Sequence, residues 1–296
     1  MLRLGWIGCG RTARTDLVPC LDPALWVEAV ADPDPGAAAA MAAALGGARV
    51  VADPLALAAS RSFDLVVIAA DPETTRKAAR AALQARQPLH IAGQPGASAA
   101  DAAALAGMAR QFGSRVTLGL AHRLRPEILR LRDLAAEGVI GPLTSVSGRL
   151  LRQGGAGQLA EAAFAMADLV PWLIDERPGP LSVQRAGTLV QAGFVTATGI
   201  LGHILAGTTL RPEPAAEEMV LTGTHGRLTL APDRRILLEA APPAPDRQIW
   251  RAPGSDPTGQ RAVFAALVAG GAGLPGLEDG MRAMGRLDRM LEPALP

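Results

Sequence analysis

Through the first 120 residues, short apolar runs alternate with stretches whose hydrophobic positions repeat at helical spacing. The runs at 2–7, 26–31, 64–70, 88–92 and 116–120, with a short one near 49–51, read as strands. The stretches at 12–21, 35–45, 73–86 and 98–112 read as helices, the last opening on Ser98 with Asp101 in its first turn. The run from Asp64 to Ala70 is apolar at consecutive positions, as in a strand covered on both faces of a parallel sheet. Strands and helices that alternate in this way need crossover connections, which predicts an α/β, doubly wound first domain over 1–120.

After Gly119 the rhythm changes. Leu124, Ile128, Leu131 and Ala135 keep helical spacing until Gly138 and Ile140-Gly141-Pro142 stop the helix. A strand over 143–151 and a helix over 159–173 follow. Then come longer strand-like runs at 181–191, 194–205, 217–223, 226–231 and 234–239, with Gly223-Thr224-His225-Gly226 as a turn. Pro242-Pro243-Ala244-Pro245 reads as a loop, Pro257 as the opening of a helix over 258–269, and 278–292 as a last helix. This predicts an α+β domain over 121–296 with an open, mostly antiparallel sheet, whose last helix could pack back on the first domain.

Composition narrows the partners. The chain has 296 residues and is 49% hydrophobic, enough to bury two cores. Its formal charge is +1 with 3% aromatics and no basic run, so neither a phosphate-tracking groove nor a base-stacking platform is expected, and nucleic acid is a poor partner. No apolar span is long enough for a bilayer, no leader pattern precedes the first strand, and a cytoplasmic location is the simplest expectation. Cys9 and Cys20 are too few for a disulfide framework. The four histidines show no metal-ligand spacing, so no metal site is expected.

The chemistry begins where the first strand runs into Gly8-Cys9-Gly10-Arg11-Thr12-Ala13. Gly8 permits a sharp exit, Gly10 permits close approach to a pyrophosphate, and Ala13 permits close helix packing. Asp32, about twenty residues on at a strand end, suits the adenosine ribose hydroxyls and repels a 2′-phosphate. NAD is therefore favoured, with NADP kept open by Arg11.

The chain resembles the glucose–fructose oxidoreductase, inositol dehydrogenase and rhizopine-catabolism (Gfo/Idh/MocA) family. The marks are Gly5-Trp6-Ile7-Gly8-Cys9-Gly10, the strand from Asp64, and Gly119-Leu120-Ala121-His122-Arg123-Leu124-Arg125-Pro126. Asp168-Leu169-Val170-Pro171-Trp172-Leu173, Leu221-Thr222-Gly223-Thr224-His225-Gly226 and Glu278-Asp279-Gly280 complete the order. The resemblance implies a Rossmann domain, a second α/β domain whose sheet often builds a dimer, and hydride exchange between NAD(P) and a sugar-like carbonyl or polyol. It also implies that the substrate lies between the domains. The family's threonine-proline-asparagine falls on Ala70-Asp71-Pro72, with Thr75 where a histidine often stands. Its glutamate-lysine-proline falls on Gly93-Gln94-Pro95, and its aspartate-x-glycine-x-histidine segment on 161–165, so Gln94 and Ala165 replace the usual lysine and histidine. Asp71 could obstruct the nicotinamide.

Gln94 can donate a hydrogen bond to a substrate oxygen but cannot deliver a proton at neutral pH. His122, Glu161, Arg123 and Asp168 are the remaining candidates for proton transfer and substrate positioning. Lys77, the single lysine, reads as a solvated helix residue and His90 as a packed one. Two readings stay open: an NAD(P)-dependent oxidoreductase with an atypical acid–base group, or a non-catalytic dinucleotide- or sugar-binding regulator. Apolar runs in the second domain suggest a homodimer through its sheet.

Overall fold

The computed structural model describes residues 1–209, 216–240, 247–253, 256 and 258–292. The chain divides into two compact units, one of Met1–Ala121 with Thr258–Met284, the other of His122–Pro257 with Gly285–Pro296.

The first unit begins with β1 (Leu2–Ile7), β2 (Leu25–Ala31), α1 (Pro35–Ala44), β3 (Arg49–Val50) and α2 (Pro54–Ala59). It continues with β4 (Leu65–Ile68), α3 (Pro72–Gln84), β5 (Leu89–Ile91), α4 (Ala99–Phe112) and β6 (Val116–Leu118). The six strands are all parallel in the order β3-β2-β1-β4-β5-β6. The unbroken hydrophobicity of β1 and β4 follows from burial on both faces: Leu4, Trp6, Ile7, Val66, Val67 and Ile68 are all fully buried. Each helix opens on a side chain that takes up a free N–H. Asp34, Asp53, Asp71 and Ser98 cap α1, α2, α3 and α4, and Pro follows the cap in the first three. The short α2 went unannounced by hydrophobic spacing, although Asp53-Pro54 is a helix-start signal.

The segment expected as a helix over 12–21 is different. It contains a π turn (Ala13–Leu17) followed by a 3-10 turn (Val18–Cys20). Pro19 has no N–H to give to a regular helical ladder, and the backbone widens just before it.

The second unit opens with a 3-10 turn (Ala121–Leu124, mostly within this unit) and α5 (Pro126–Ala136), then β7 (Leu143–Gln153) and α6 (Ala156–Ile174). Its remaining strands are β8 (Ser182–Ala186), β9 (Leu189–Val195), β10 (Leu201–Thr209), β11 (Ala216–Gly223), β12 (Gly226–Leu230), β13 (Arg235–Ala240) and β14 (Arg247–Arg251). They form one sheet in the order β14-β13-β12-β11-β7-β10-β9-β8, in which β10–β7 is parallel and the other neighbours antiparallel. The expected runs at 181–191 and 194–205 are each broken by a turn, at Gly187 (φ 58°) and Gly199 (φ 92°), and yield β8, β9 and β10. The glycines and their polar neighbours, Arg185 and Thr188 around the first turn and Thr196 and Thr198 around the second, were the available signal. The expected turn at 223–226 does join β11 to β12.

One face of this sheet packs on α5 and α6. Pro171 lies inside α6, where it cannot donate to the Ala167 carbonyl. That carbonyl accepts instead from Arg286 Nη1 at 2.8 Å, so the proline leaves no orphan acceptor.

The expected loop at 242–245 and the expected helix opening at Pro257 lie outside the described residues. Helix α7 (Gln260–Val268) is in the first unit, where Phe264 meets Trp6 with ring centroids 6.3 Å apart. Helix α8 (Leu277–Leu291) starts in the first unit, with Gly280 close against Leu118 and Pro95, and ends in the second.

Candidate functional site

In the first unit the candidate cofactor residues gather at one edge of the sheet. Ala69 N–H donates to Ile7, Ala92 N–H to Ile68, and Gly119 N–H to Ile91, so the chain leaves β1, β4 and β5 at the same level. Residues 8–13, 70–75 and 93–94 therefore follow the carboxyl ends of adjacent strands. Strand order reverses between β1 and β4, the position where such sheets bind nucleotides.

The two glycines differ in what requires them. Gly8 has φ 95°, and a Cβ there would lie 2.3 Å from the Ala69 carbonyl oxygen, so the fold itself demands glycine. At Gly10 a Cβ would meet nothing within 4 Å. Internal packing does not explain Gly10, whereas a ligand backbone lying close to the chain does. The loop thus fits a pyrophosphate, with Arg11 and Thr12 exposed beside it and Ala13 buried.

Asp32 stands at the end of β2, half-buried. Its Oδ2 accepts the Cys9 N–H at 2.6 Å and its Oδ1 the Asp34 N–H at 2.8 Å. Each oxygen keeps a lone pair, and the two bonds hold the carboxylate in place beside the glycine loop. The Cys9 thiol is buried 3.6 Å from the Ala31 carbonyl. Burial, with Asp32 adding to it, pushes the Cys9 thiol up to about 12, so it stays protonated and takes no part in chemistry at neutral pH.

Asp71 and Thr75 are occupied locally. Asp71 Oδ1 accepts the N–H groups of Glu73 and Thr74 at 3.0 Å each. Burial acts to raise its carboxyl, but the bonds from Thr74 and Glu73 outweigh it and hold the group below the ordinary range. Thr75 is buried and donates to the Ala70 carbonyl at 3.2 Å. Gly93 is exposed and Gln94 half-buried in the loop after β5. Lys77 is half-exposed and pairs with Glu73 at 2.8 Å on the surface of α3. His90 is fully buried, with Nδ1 3.0 Å from Thr117 Oγ1, and burial lowers it to about 4.

In the second unit the candidates separate into a pair, a network and an isolated residue. Arg123 donates through Nε and Nη2 to both oxygens of Asp168, at 2.8 and 2.5 Å, and its guanidinium lies 5.6 Å from the Trp172 ring. Arg132 stacks on the same ring at 4.3 Å. Asp168 is thus held to Arg123 by a two-point bond. Glu161, the candidate general acid, is exposed on α6. It lacks the apolar surroundings that such use requires.

His122 belongs to the network. Its Nδ1 lies 3.5 Å from Glu217 Oε1 and 3.3 Å from Arg125 Nη1. Arg125 donates to Glu217 Oε2 through Nη1, and to Glu127 Oε1 through Nε and Nη2 at 2.9 and 2.7 Å. Arg234 donates to both oxygens of Glu127, at 2.8 and 3.0 Å. Glu127 is completely buried and Arg125 nearly so. Burial alone would raise the Glu217 carboxyl, but His122 and Arg125 outweigh it and hold the group down to about 2. Arg125, Glu127, Glu217 and Arg234 were not singled out in the sequence. Their partners lie about a hundred positions apart, and only the paired carboxylates at 217–218 hint at a strand start with unusual charge.

Among the described residues no group of three or more His, Cys, Asp or Glu could hold a metal ion, and no helix is long and apolar enough to cross a membrane.

Residues 2–120 match the family described as oxidoreductases with an NAD-binding Rossmann fold, Gfo/Idh/MocA. Over 145 residues the chain is 34% identical to an inositol 2-dehydrogenase of Saccharopolyspora erythraea, a match that spans 47% of this chain and 42% of that protein. The fold also resembles an oxidoreductase from Agrobacterium radiobacter solved with NAD+, L-tartaric acid and magnesium (TM-score 0.82, 17% identity, 97% of this chain and 94% of that one). A 3-ketoreductase from Actinomadura kijaniata solved with NADP is similar as well (TM-score 0.81, 19% identity, 98% and 96%). The parallel six-stranded sheet, with its glycine loop at the reversal of strand order, agrees with the match of residues 2–120 to the NAD-binding Rossmann fold of the Gfo/Idh/MocA oxidoreductases.

Proposed function

We propose that the protein transfers a hydride between nicotinamide and a small polar carbonyl or polyol, with His122 in place of the family's lysine as the proton-transfer group. Gly8, Gly10 and the loop after them would hold the dinucleotide, Asp32 would take its ribose hydroxyls, and the segments at 70–71 and 93–94 would flank the nicotinamide end. When bound, that group supplies or accepts the hydride. The proton is left to the protein, and Gln94 can only donate a hydrogen bond to the substrate oxygen. The observation that carries this assignment is His122, a partly exposed imidazole set against a buried carboxylate. Such a group can take a proton from a substrate oxygen or return it. Exposed Leu189, Val195 and Leu201 on β9 and β10 support a homodimer through the sheet.

The test is turnover of polyols and sugars with NAD+ or NADP+, and of the matching carbonyl compounds with the reduced cofactors. Wild type is expected to turn over at least one pair, and H122Q to lose about 100-fold in kcat with cofactor affinity within twofold. The second reading, a dinucleotide-binding protein without activity, is favoured by Gln94 and Ala165 at the usual lysine and histidine positions. It prevails if wild type and Q94K both bind NAD(H) and both remain inert.

A further inference from the structure

Glu217 has no part in the reaction as described so far, yet it is a largely buried carboxylate with one oxygen unsatisfied. Its Oε2 accepts from Arg125, while its Oε1 is buried and has no hydrogen-bond partner. The nearest donor available to Oε1 is the His122 ring, whose Nδ1 is 3.5 Å away. A buried acceptor left empty is costly, and a small rotation of the ring would fill it. Two groups compete for Nδ1. Arg125 Nη1, 3.3 Å from it, can give a hydrogen bond only if Nδ1 carries no proton. That Nη1 already has an acceptor in Glu217 Oε2, whereas Oε1 has no other donor. Nη1 carries two N–H groups, so placing the proton on Nδ1 gives Oε1 its donor while Nη1 stays bonded to Oε2 through one of them.

We infer that Glu217 is a positioning residue that fixes His122 with its Nδ1–H toward Oε1 and so assigns proton transfer to Nε2. This rests on the reading that His122 moves the proton. In the oxidising direction Nε2 then takes the substrate hydroxyl proton as the neighbouring C–H bond gives up its hydride to the oxidised cofactor and the C–O bond becomes a carbonyl. In the reducing direction the imidazolium returns that proton to the oxygen as hydride adds to carbon. The charged groups that face the ring among the described residues are Glu217 from β11 and Arg125 from the start of α5. Behind them Glu127 binds Arg125 and Arg234.

The experiment is 15N-histidine NMR of the full chain at a pH where His122 is neutral, with its signals assigned by their loss in H122Q. In wild type Nδ1 is expected to be protonated and Nε2 to have the shift of an unprotonated nitrogen. E217M removes the acceptor, so the neutral ring should accept from Arg125 and carry its proton on Nε2. E217Q keeps an acceptor but loses the charge. It should retain the wild-type tautomer. A wild-type ring protonated on Nε2 overturns the inference, and this measurement needs neither variant to fold. So does a folded E217M whose ring keeps its proton on Nδ1. Turnover retained by H122Q would instead retire the proton-transfer reading, so the two failures are told apart.

Discussion

The two units build their polar sites by opposite means. In the first, the site is made of backbone: a glycine loop, amides at strand ends, and a carboxylate held by two N–H groups. In the second, it is made of long side chains from the start of α5, from β11 and from the turn before β13, joined through buried charge. A backbone site depends on local conformation and tolerates the loss of any one side chain. A charge network depends on every member, because removing one partner leaves the others buried and uncompensated.

Neutralising one carboxylate in each unit makes this contrast measurable. Glu127→Gln leaves Arg125 and Arg234 with a single carboxylate between them, and unfolding by denaturant should show a loss of about 3–5 kcal/mol. Asp32→Asn removes a charge that is half-exposed and held by backbone amides, and should cost about 1 kcal/mol. Equal losses would mean that the network is no more than a set of surface pairs.

Acid should separate the units by a smaller but directional effect. His90 in β5 is lowered by burial from 6.5 to about 4, so the unfolded chain takes up that proton first. The first unit therefore keeps this contribution above pH 6.5 and loses it as pH falls toward 4. Glu217 is held at about 2 against an ordinary 4.5, so its contribution is full above pH 4.5 and is lost only as pH falls from there toward 2. Hydrogen exchange followed from pH 7 to 3 should thus show protection falling in β4–β6 before it falls in β7 and β11. Simultaneous loss would remove this distinction.

The same contrast explains what could be read from the sequence. The glycine loop, Asp32 and the parallel strands announce themselves because each depends on neighbours within a few positions or on one hydrophobic run. The π turn at 13–17 escaped because apolar spacing looks the same in both helix types, and only Pro19 marks the difference. The turns at Gly187 and Gly199 escaped because threonine, which flanks both glycines, is as common inside strands as between them. Arg123 and Asp168 were legible from the resemblance and His122 as a histidine at the domain junction, while the bond between Arg123 and Asp168 is seen only in the fold. The network around His122 was not legible, since nothing local ties Arg125 to Glu217 or Glu127 to Arg234. Glu161 was legible as a carboxylate on a helix, but its exposure was not.

The central claim is that Gly10, unlike Gly8, is kept bare by a dinucleotide and not by the fold, and titration calorimetry with NAD(H) and NADP(H) tests it most directly when wild type is compared with Gly10→Val. Open space around the missing Cβ predicts that this variant melts within about 1 °C of wild type, since a surface change costs little. It also predicts that wild type gives a saturable heat with NAD(H), stronger than with NADP(H), and that the variant gives none up to millimolar cofactor. Silence from wild type with both cofactors, or binding by Gly10→Val equal to wild type, would contradict it.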